Sequence, residues 1–527
     1  MDTQTKRWTI LLGLLLLSAL ALPAFAQEAQ LGQTTFPTSG DDAAQDAFLE
    51  GLLLLHSFEY PDAREAFQEA QAVDPDFAMA HWGEAMTHNH PLWFRQDAAA
   101  ARAALDELGE TPEARLAKAP TAREKDYLRA VHILYGDGSK EARDDAYAAF
   151  MATLADRYPN DLDAQAFHAL SILGTSHDGR DVRTYMRAAA IVEEVFAENP
   201  QHPGAAHYLI HSYDDPVHAP LGLRPARVYA SIAPSAAHAL HMPSHIFTAL
   251  GMWDRSVRMN ERSWQASVER MKEKNLSISA RSYHALWWLA YGQLQQGRYE
   301  TARATLGTAA DALRQEKAGT HRYHFVRMRA AYLTDTQRWD DLVMEVDVDL
   351  SQLGLQDAAI DHFVRGWHAL HRQDAEAAAQ HLEALRMRMV EMDRSPTEAE
   401  IMALELEALI RQAQDRPEEA VALLERATAL ADARPLTYGP PIPVKPAHEL
   451  LGDLLMALDR PAEAQVQYRK ALDRAPKRAH SLLGLARAAS QAGHAEGAQD
   501  SMQQLRTIWD EADPALQEKL QTTLSAR

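Results

Sequence analysis

The residues of this chain best suited to chemistry are five histidines on two neighbouring predicted helices. His207 and His211 lie on the first helix, and His238, His241 and His245 lie on the second. His207 is 34 residues from His241, and His211 is again 34 residues from His245. His207 and His211 form one i,i+4 pair and His241 and His245 form another, so the two rings of each pair share one helical face. Imidazoles gathered in this way can bind a transition metal or transfer protons.

The same spacing indicates the elements that position the histidines. Thirty-four residues is the period of the tetratricopeptide (TPR) repeat, a helix–turn–helix unit that stacks into a solenoid. Small and large residues recur at the signature positions of this repeat in units near residues 44, 283 and 445, for example Gly51 and Phe67. Residues one period apart are stacked neighbours, so the histidines are predicted to form a cluster. We therefore predict an all-α fold, a right-handed TPR solenoid with essentially no sheet.

The repeat register also predicts which side chains line the concave groove of the solenoid. They are polar or aromatic, and come from four units. The predicted groove residues are His207, His211, Asp214, Asp215, His238, His241, His245, His284, Trp287 and Tyr291, with Trp82 and His90 from an earlier His/aromatic segment.

Three interpretations of the histidines remain open at this stage. In the first, His207, His211, His241 and His245 hold Zn²⁺, Cu²⁺ or Fe²⁺, and Asp214 or Asp215 acts as a further ligand, as an outer partner of a ligand or as a base. In the second, the groove binds a ligand without metal, and in the third the histidines form structural hydrogen bonds. The chain has no H-E-x-x-H motif, P-loop or G-x-S-x-G motif that would name a reaction. Pro243 predicts that the second helix starts or kinks beside His241.

Composition and charge limit the location and the partners. Residues 1–26 have a basic start, a short apolar run and a small-x-small site, which predicts a cleaved signal peptide and a periplasmic or secreted protein. No later stretch is apolar enough to predict a membrane span. The formal net charge of −21 argues against nucleic acid as a partner. The chain has no cysteine, which excludes disulfides and cysteine-based sites.

The predicted organisation has six parts. They are a signal peptide (1–26), a disordered N-terminal segment (27–43), an N-terminal TPR array carrying the histidines (44–316), divergent helical repeats (317–430), a Pro-rich linker (431–446) and a C-terminal TPR pair (447–527). The Pro-rich stretch has a second interpretation, a flap laid across the groove.

Several strings resemble those of a group of exported bacterial TPR-repeat proteins. They are NHPLW (89–93), HYLIH with DDPVHAPLG (207–222), HALHMPSHIF (238–247) and GPPIPVKPAHELLG (439–452). The resemblance covers most of the chain beyond residue 26. It implies an all-α TPR solenoid outside the cytoplasm, and it implies no reaction, because the group has no settled biochemical activity.

The sequence thus favours an exported TPR scaffold that binds a peptide, a protein segment or a small ligand, with a divalent metal as an open question. The sequence does not decide whether the protein is an enzyme, and it favours a protein that is not one. The alternative is a metal-dependent enzyme with its histidine site in the groove.

Overall fold

The chain is built almost entirely of α-helices in the computed structural model, which describes residues 29–317, 319–391 and 397–525. The first half is a series of antiparallel helices. These are α1 (Gln45–His56), α2 (Tyr60–Val73), α3 (Ala78–Met86), α4 (Ala98–Leu108), α5 (Pro112–Lys118), α6 (Ala122–Leu134), α7 (Lys140–Arg157), α8 (Leu162–Leu173), α9 (Val182–Glu198), α10 (Pro203–Ser212), α11 (Leu223–Ile232), α12 (Ala237–His241), α13 (Pro243–Ala249) and α14 (Trp253–Glu273).

The second half continues the same pattern. Its helices are α15 (Tyr283–Gln295), α16 (Tyr299–Gln315), α17 (His321–Thr336), α18 (Leu355–His371), α19 (Ala375–Val390), α20 (Thr397–Ala413), α21 (Pro417–Ala433), α22 (Ala447–Ala457), α23 (Pro461–Arg474), α24 (Ala479–Gln491), α25 (Ala495–Ile508) and α26 (Pro514–Ser525). In the described ranges the only sheet is a two-stranded hairpin, β1 (Asn89–His90) with β2 (Arg95–Gln96). The predicted all-α class is therefore confirmed.

Close helix packing depends on glycines placed around a large ring. A Cβ atom added to Gly51 or Gly83 would lie 2.8 or 2.3 Å from the Phe67 ring. The C-terminal repeats have the same arrangement, since a Cβ on Gly452 or Gly484 would lie 2.8 or 2.3 Å from Tyr468. One ring on the second helix of a unit is thus enclosed by glycines on the two flanking first helices. Any side chain at these glycines would push the helices apart.

The N-terminal segment differs from its prediction. Residues 29–41 are extended but ordered against the helices, with Leu31 and Phe36 buried in the core. The Phe36 ring stacks on Trp82, with ring centroids 5.9 Å apart, and the Arg123 guanidinium lies 4.0 Å from its centroid. The prediction of disorder is wrong for this part of the segment, because its two apolar side chains pack into the core.

The Pro-rich stretch packs against the middle of the array. Helix α21 ends at Ala433, and residues 434–446, here called the proline-rich segment, run without helix to α22. Gly439 has φ +82°, and a Cβ there would lie 2.5 Å from Trp288 on α15. The segment therefore lies directly on the middle repeats, in the position of a flap rather than a free linker.

The helices of the described ranges are all too short or too polar to cross a membrane. The predicted signal peptide, residues 1–26, lies outside the described residues.

Candidate metal centre

Three consecutive units place six histidine rings side by side. His207 and His211 come from α10, His238 and His241 from α12, His245 from α13 and His284 from α15. The structure joins α12 and α13 at Met242 (φ −53°, ψ −39°), and Pro243 is the first residue of α13, so a new helix starts beside His241.

Neighbouring rings are in contact throughout the cluster. Ring centroids are 4.9 Å apart within both i,i+4 pairs, and 5.6 Å apart between His211 and His245. The two pairs are buried, whereas His238 and His284 are half-buried. The cluster is therefore a closed site between helices rather than a row of side chains on an open groove.

The rings form two groups of three, each of which could hold one ion. In one group, ligand atoms of His207, His211 and His238 lie within 4.8 Å of one another. In the other, the same is true of His241, His245 and His284. This differs from the predicted set of four histidines around a single ion. Each i,i+4 pair instead meets a histidine from the repeat unit that follows it.

Hydrogen bonds determine which nitrogens of His241 and His245 carry protons. His241 Nδ1–H donates to Asn260 Oδ1 at 2.6 Å, and the Asn260 amide is oriented by its own donation to the Ser256 carbonyl at 2.9 Å. His245 Nδ1–H donates to Asp214 Oδ2. In the tautomers that these acceptors select, the Nε2 atom of each ring carries a lone pair, and these two Nε2 atoms lie 3.0 Å apart.

Two lone pairs facing each other at this distance repel unless a metal ion or a proton lies between them. Two nitrogens that share one zinc-like ion at ~2.0–2.1 Å must be ~2.9–3.4 Å apart, for bond angles between ~90° and ~110°. The 3.0 Å separation falls in this range. Carboxylate and amide oxygens behind the rings are the outer partners that orient metal-binding histidines.

The first pair has a related but less constrained arrangement. His207 Nδ1–H donates to the backbone carbonyl of His56 at 2.7 Å, which leaves a lone pair on His207 Nε2. His211 Nε2 lies 3.1 Å from that atom. A proton on His211 Nε2 satisfies this contact, so the first pair does not by itself require an ion.

The two predicted carboxylates have different roles. Asp214 is buried, and among the described residues nothing hydrogen-bonds its second oxygen, Oδ1. Asp215 instead accepts from Arg180 Nη2 at 2.9 Å and from the His218 backbone N–H at 3.0 Å. Asp215 therefore holds the turn after α10, and only Asp214 is available to the centre.

Burial favours the neutral form of an imidazole, which is the form that binds metals. Loss of hydration lowers the pKa of His207 to about 3. The same cause, with the neighbouring histidines adding to it, lowers the pKa of His211, His241 and His284 well below the ordinary value.

A second buried histidine cluster went unrecognised in the sequence. His56 Nε2–H donates to Asp163 Oδ1 at 2.8 Å, and His56 Nδ1 lies 2.9 Å from the Tyr208 hydroxyl. His202 Nδ1 accepts from the Ala205 backbone N–H, so its proton sits on Nε2, which faces Asp163 at 3.3 Å. Burial alone would raise the pKa of Asp163, but the hydrogen bonds from His202 and His56 hold it well below its usual range. The Asp163 carboxylate lies between the two rings, so we interpret this cluster as a structural network centred on Asp163.

The other predicted groove residues separate into two sets. Trp82 is buried in the core, which makes its assignment to the groove wrong: Phe36 from the N-terminal segment covers it. Tyr291 is also buried, and its hydroxyl accepts from Arg478 at 3.3 Å. His90 is half-buried and stacks on Tyr60, with ring centroids 4.0 Å apart.

The remaining predicted groove residues, His284 and Trp287, line a cavity of about 570 Å³ beside the histidine cluster. Its wall also includes Tyr438 from the proline-rich segment. The Tyr438 ring lies 5.3 Å from His245, and Trp288 stacks on His245 at 4.3 Å. The centre is thus screened by aromatic rings and reaches open space past His284.

Comparisons with known proteins identify the repeat. Family models of the tetratricopeptide repeat match residues 283–308 and residues 446–478. These are two of the units predicted from the sequence.

A human protein, spectrin beta chain, non-erythrocytic 5, is 30% identical over 302 residues, which are 53% of this chain. The chain spans only 8% of the length of that spectrin.

Solved structures that resemble the chain include yeast Tom70 (13% identity, 91% of this chain and 99% of that chain, TM-score 0.34). Human IFIT1 bound to PPP-AAAA has 13% identity, 89% and 95% coverage and a TM-score of 0.38. A tetratricopeptide repeat protein from Parabacteroides merdae has 13% identity, 55% and 97% coverage and a TM-score of 0.30. The two family-model matches show that residues 283–308 and 446–478 are tetratricopeptide repeats.

Proposed function

We propose that this TPR protein binds a transition-metal ion at His241, His245 and His284. The observation that carries the proposal is the pair of Nε2 lone pairs facing each other at 3.0 Å, each fixed by an acceptor on the opposite ring nitrogen. A purely structural role for these histidines would place a donor on one of the two atoms. An open peptide groove would leave the rings accessible, whereas His241 and His245 are buried.

Imidazole nitrogens suit Zn²⁺, Cu²⁺ and Fe²⁺, the ions named from the sequence. Three protein ligands leave one coordination position open, as in catalytic zinc sites. That position is next to the cavity of about 570 Å³ that His284 lines. The centre is therefore suited to a small ligand or substrate that reaches the ion from this cavity. The exported location predicted from residues 1–26 is part of the same proposal.

A second candidate function is the capture of a protein or peptide partner, since TPR arrays present extended concave surfaces for binding. At the histidine cluster this surface is occupied by the protein's own proline-rich segment, with Gly439 against Trp288 and Tyr438 against His245. Partner capture is therefore proposed for parts of the array away from the metal centre, and small-ligand binding for the centre itself.

Removal of the metal is the direct test of the proposal. Untagged protein should contain at least one equivalent of a transition metal by elemental analysis, lose it to a strong chelator, and unfold at a lower temperature as the apoprotein. An ion that binds only the folded state stabilises it by ~2.7 kcal/mol at a free concentration ~100-fold above Kd.

Magnesium is the matched control for this measurement. It prefers oxygen ligands, so it should restore neither the metal content nor the melting temperature, whereas Zn²⁺ restores both. Protein that takes up no transition metal and melts identically with and without chelator would contradict the proposal.

A further inference from the structure

Two buried polar atoms beside the proposed centre have no partner among the described residues. They are Asp214 Oδ1 and His238 Nε2. A buried polar atom without a partner costs ~1–3 kcal/mol, so two of them next to one cluster call for an explanation. Neither belongs to the three-histidine group of the proposed function.

The positions of these atoms relative to the histidines give the explanation. His238 Nε2 belongs to the ring that completes the group of His207 and His211. Asp214 lies between the groups, because its ligand atom is within 4.8 Å of those of both His211 and His245. His211 belongs to the first group and His245 to the second, so the two groups are adjacent.

We infer that the cluster is a two-metal centre, with a second transition-metal ion at His207, His211 and His238 and the carboxylate of Asp214 adjacent to both groups. This inference rests on the proposed function of the first group. The second ion would occupy the contact between His207 Nε2 and His211 Nε2, which are 3.1 Å apart. It would also give His238 Nε2 the partner that it lacks.

The two sites are built alike because they are one repeat apart. Each has an i,i+4 histidine pair, and the pairs are related by the 34-residue period. Each also has an outer acceptor that orients a ring, namely the His56 carbonyl for His207 and Asn260 for His241. Such outer partners are typical of metal-binding histidines.

The charge of the pair indicates the class of ligand that it takes. Six neutral imidazoles and one carboxylate leave most of the charge of two divalent ions uncompensated, and uncompensated charge is costly in a buried site. A two-metal centre of this kind holds a small oxygen anion, either a bridging hydroxide or an oxyanion group of a substrate.

Metal stoichiometry tests the inference. Apoprotein is titrated with Zn²⁺, and the bound metal is counted by elemental analysis after removal of free ion. Wild-type protein should bind two equivalents, and the variant His207→Ala/His211→Ala should bind one. His238→Ala is a milder second variant that removes a ring nitrogen with no hydrogen-bond partner, and it should weaken the second equivalent at least ~10-fold while leaving the first unchanged.

The matched control removes a histidine pair outside the cluster. His362 Nδ1 and His381 Nδ1 lie 3.3 Å apart on α18 and α19, and both rings are half-buried. The variant His362→Ala/His381→Ala should still bind two equivalents.

Each other outcome has a distinct meaning. One equivalent in wild-type protein overturns the two-metal centre and leaves the proposed function standing if His207→Ala/His211→Ala still binds it. One equivalent that is lost in this variant indicates a single ion shared by both pairs, which also overturns the inference. Two equivalents that persist in the variant place the second ion elsewhere. No metal in wild-type protein contradicts the proposed function itself.

Discussion

Replacing both His241 and His245 by alanine is expected to abolish metal binding at their site. The variant loses two of the three ligands, so the loss of affinity should far exceed the ~10–100-fold that follows from losing one outer partner. Isothermal titration of apoprotein with Zn²⁺ measures the effect, and circular dichroism checks that the helices remain. Retention of wild-type affinity by a folded variant would contradict the assignment of this site.

Two further variants separate a metal-binding role from a structural one. Asp214→Asn keeps both ligand pairs but weakens the acceptor behind His245, so Zn²⁺ affinity should fall ~10–100-fold.

His241→Gln places an amide N–H opposite the lone pair of His245 Nε2, which replaces the repulsion between the two lone pairs with a hydrogen bond. If the centre binds metal, this variant should lose Zn²⁺ affinity while its apoprotein is at least as stable as wild-type apoprotein. If His241 is structural, it should lose stability and show no difference in metal content.

Much of the fold could be predicted from the sequence because each repeat is a local unit. The signature positions near residues 44, 283 and 445 correspond to the helix pairs α1–α2, α15–α16 and α22–α23. Gly51 with Phe67, and Gly452 with Tyr468, occupy positions where one ring needs a glycine opposite it. In each of these contacts the two residues lie close together in the sequence, so their regular spacing can be recognised without a structure.

The segments without helix could not be placed in the same way. Residues 29–41 and the proline-rich segment have no periodic pattern, and their contacts are distant in the chain. Gln33, for example, donates its backbone N–H to the Gln201 carbonyl at 2.9 Å, and Gly439 meets Trp288. Only the assembled array creates the surfaces on which these segments lie.

The candidate site was partly visible in the sequence, because the 34-residue spacing relates the two histidine pairs directly. The structure adds what spacing alone does not provide, namely the third histidine of each group and the oxygen atoms behind the rings. Asn260 could have been found, since it lies on α14, the helix that packs antiparallel to α12. The His56 carbonyl could not have been found, because His56 is 151 residues from His207 in the sequence and no periodicity relates the two.

One buried ion cluster joins the C-terminal repeats to the middle of the array. The Arg478 side chain is fully buried and donates to Asp335 Oδ1 at 2.5 Å and to Glu449 Oε2 at 2.8 Å. Burial alone would lower the pKa of Arg478, but Asp335 and Glu449 raise it well above its ordinary value. The next residue, Ala479, donates its backbone N–H to Gln295 Oε1 at 3.0 Å. Arg478 therefore links α15, α17 and α22 at the point where α24 begins.

Replacing Arg478 by methionine is expected to destabilise the C-terminal repeats by ~3–5 kcal/mol, because it leaves Asp335 buried without a counter-ion and leaves Glu449 with Lys445 alone. Urea denaturation measures the loss, and hydrogen exchange should localise it to α22–α25.

Arg314→Met is the control, since it breaks only an exposed pair with Asp311 and should leave the midpoint of urea denaturation nearly unchanged. Because the cost comes from unpaired charge, adding Asp335→Asn and Glu449→Gln to Arg478→Met should restore part of the stability. A single Arg478→Met variant as stable as the wild-type protein would show that the cluster does not hold the C-terminal repeats in place.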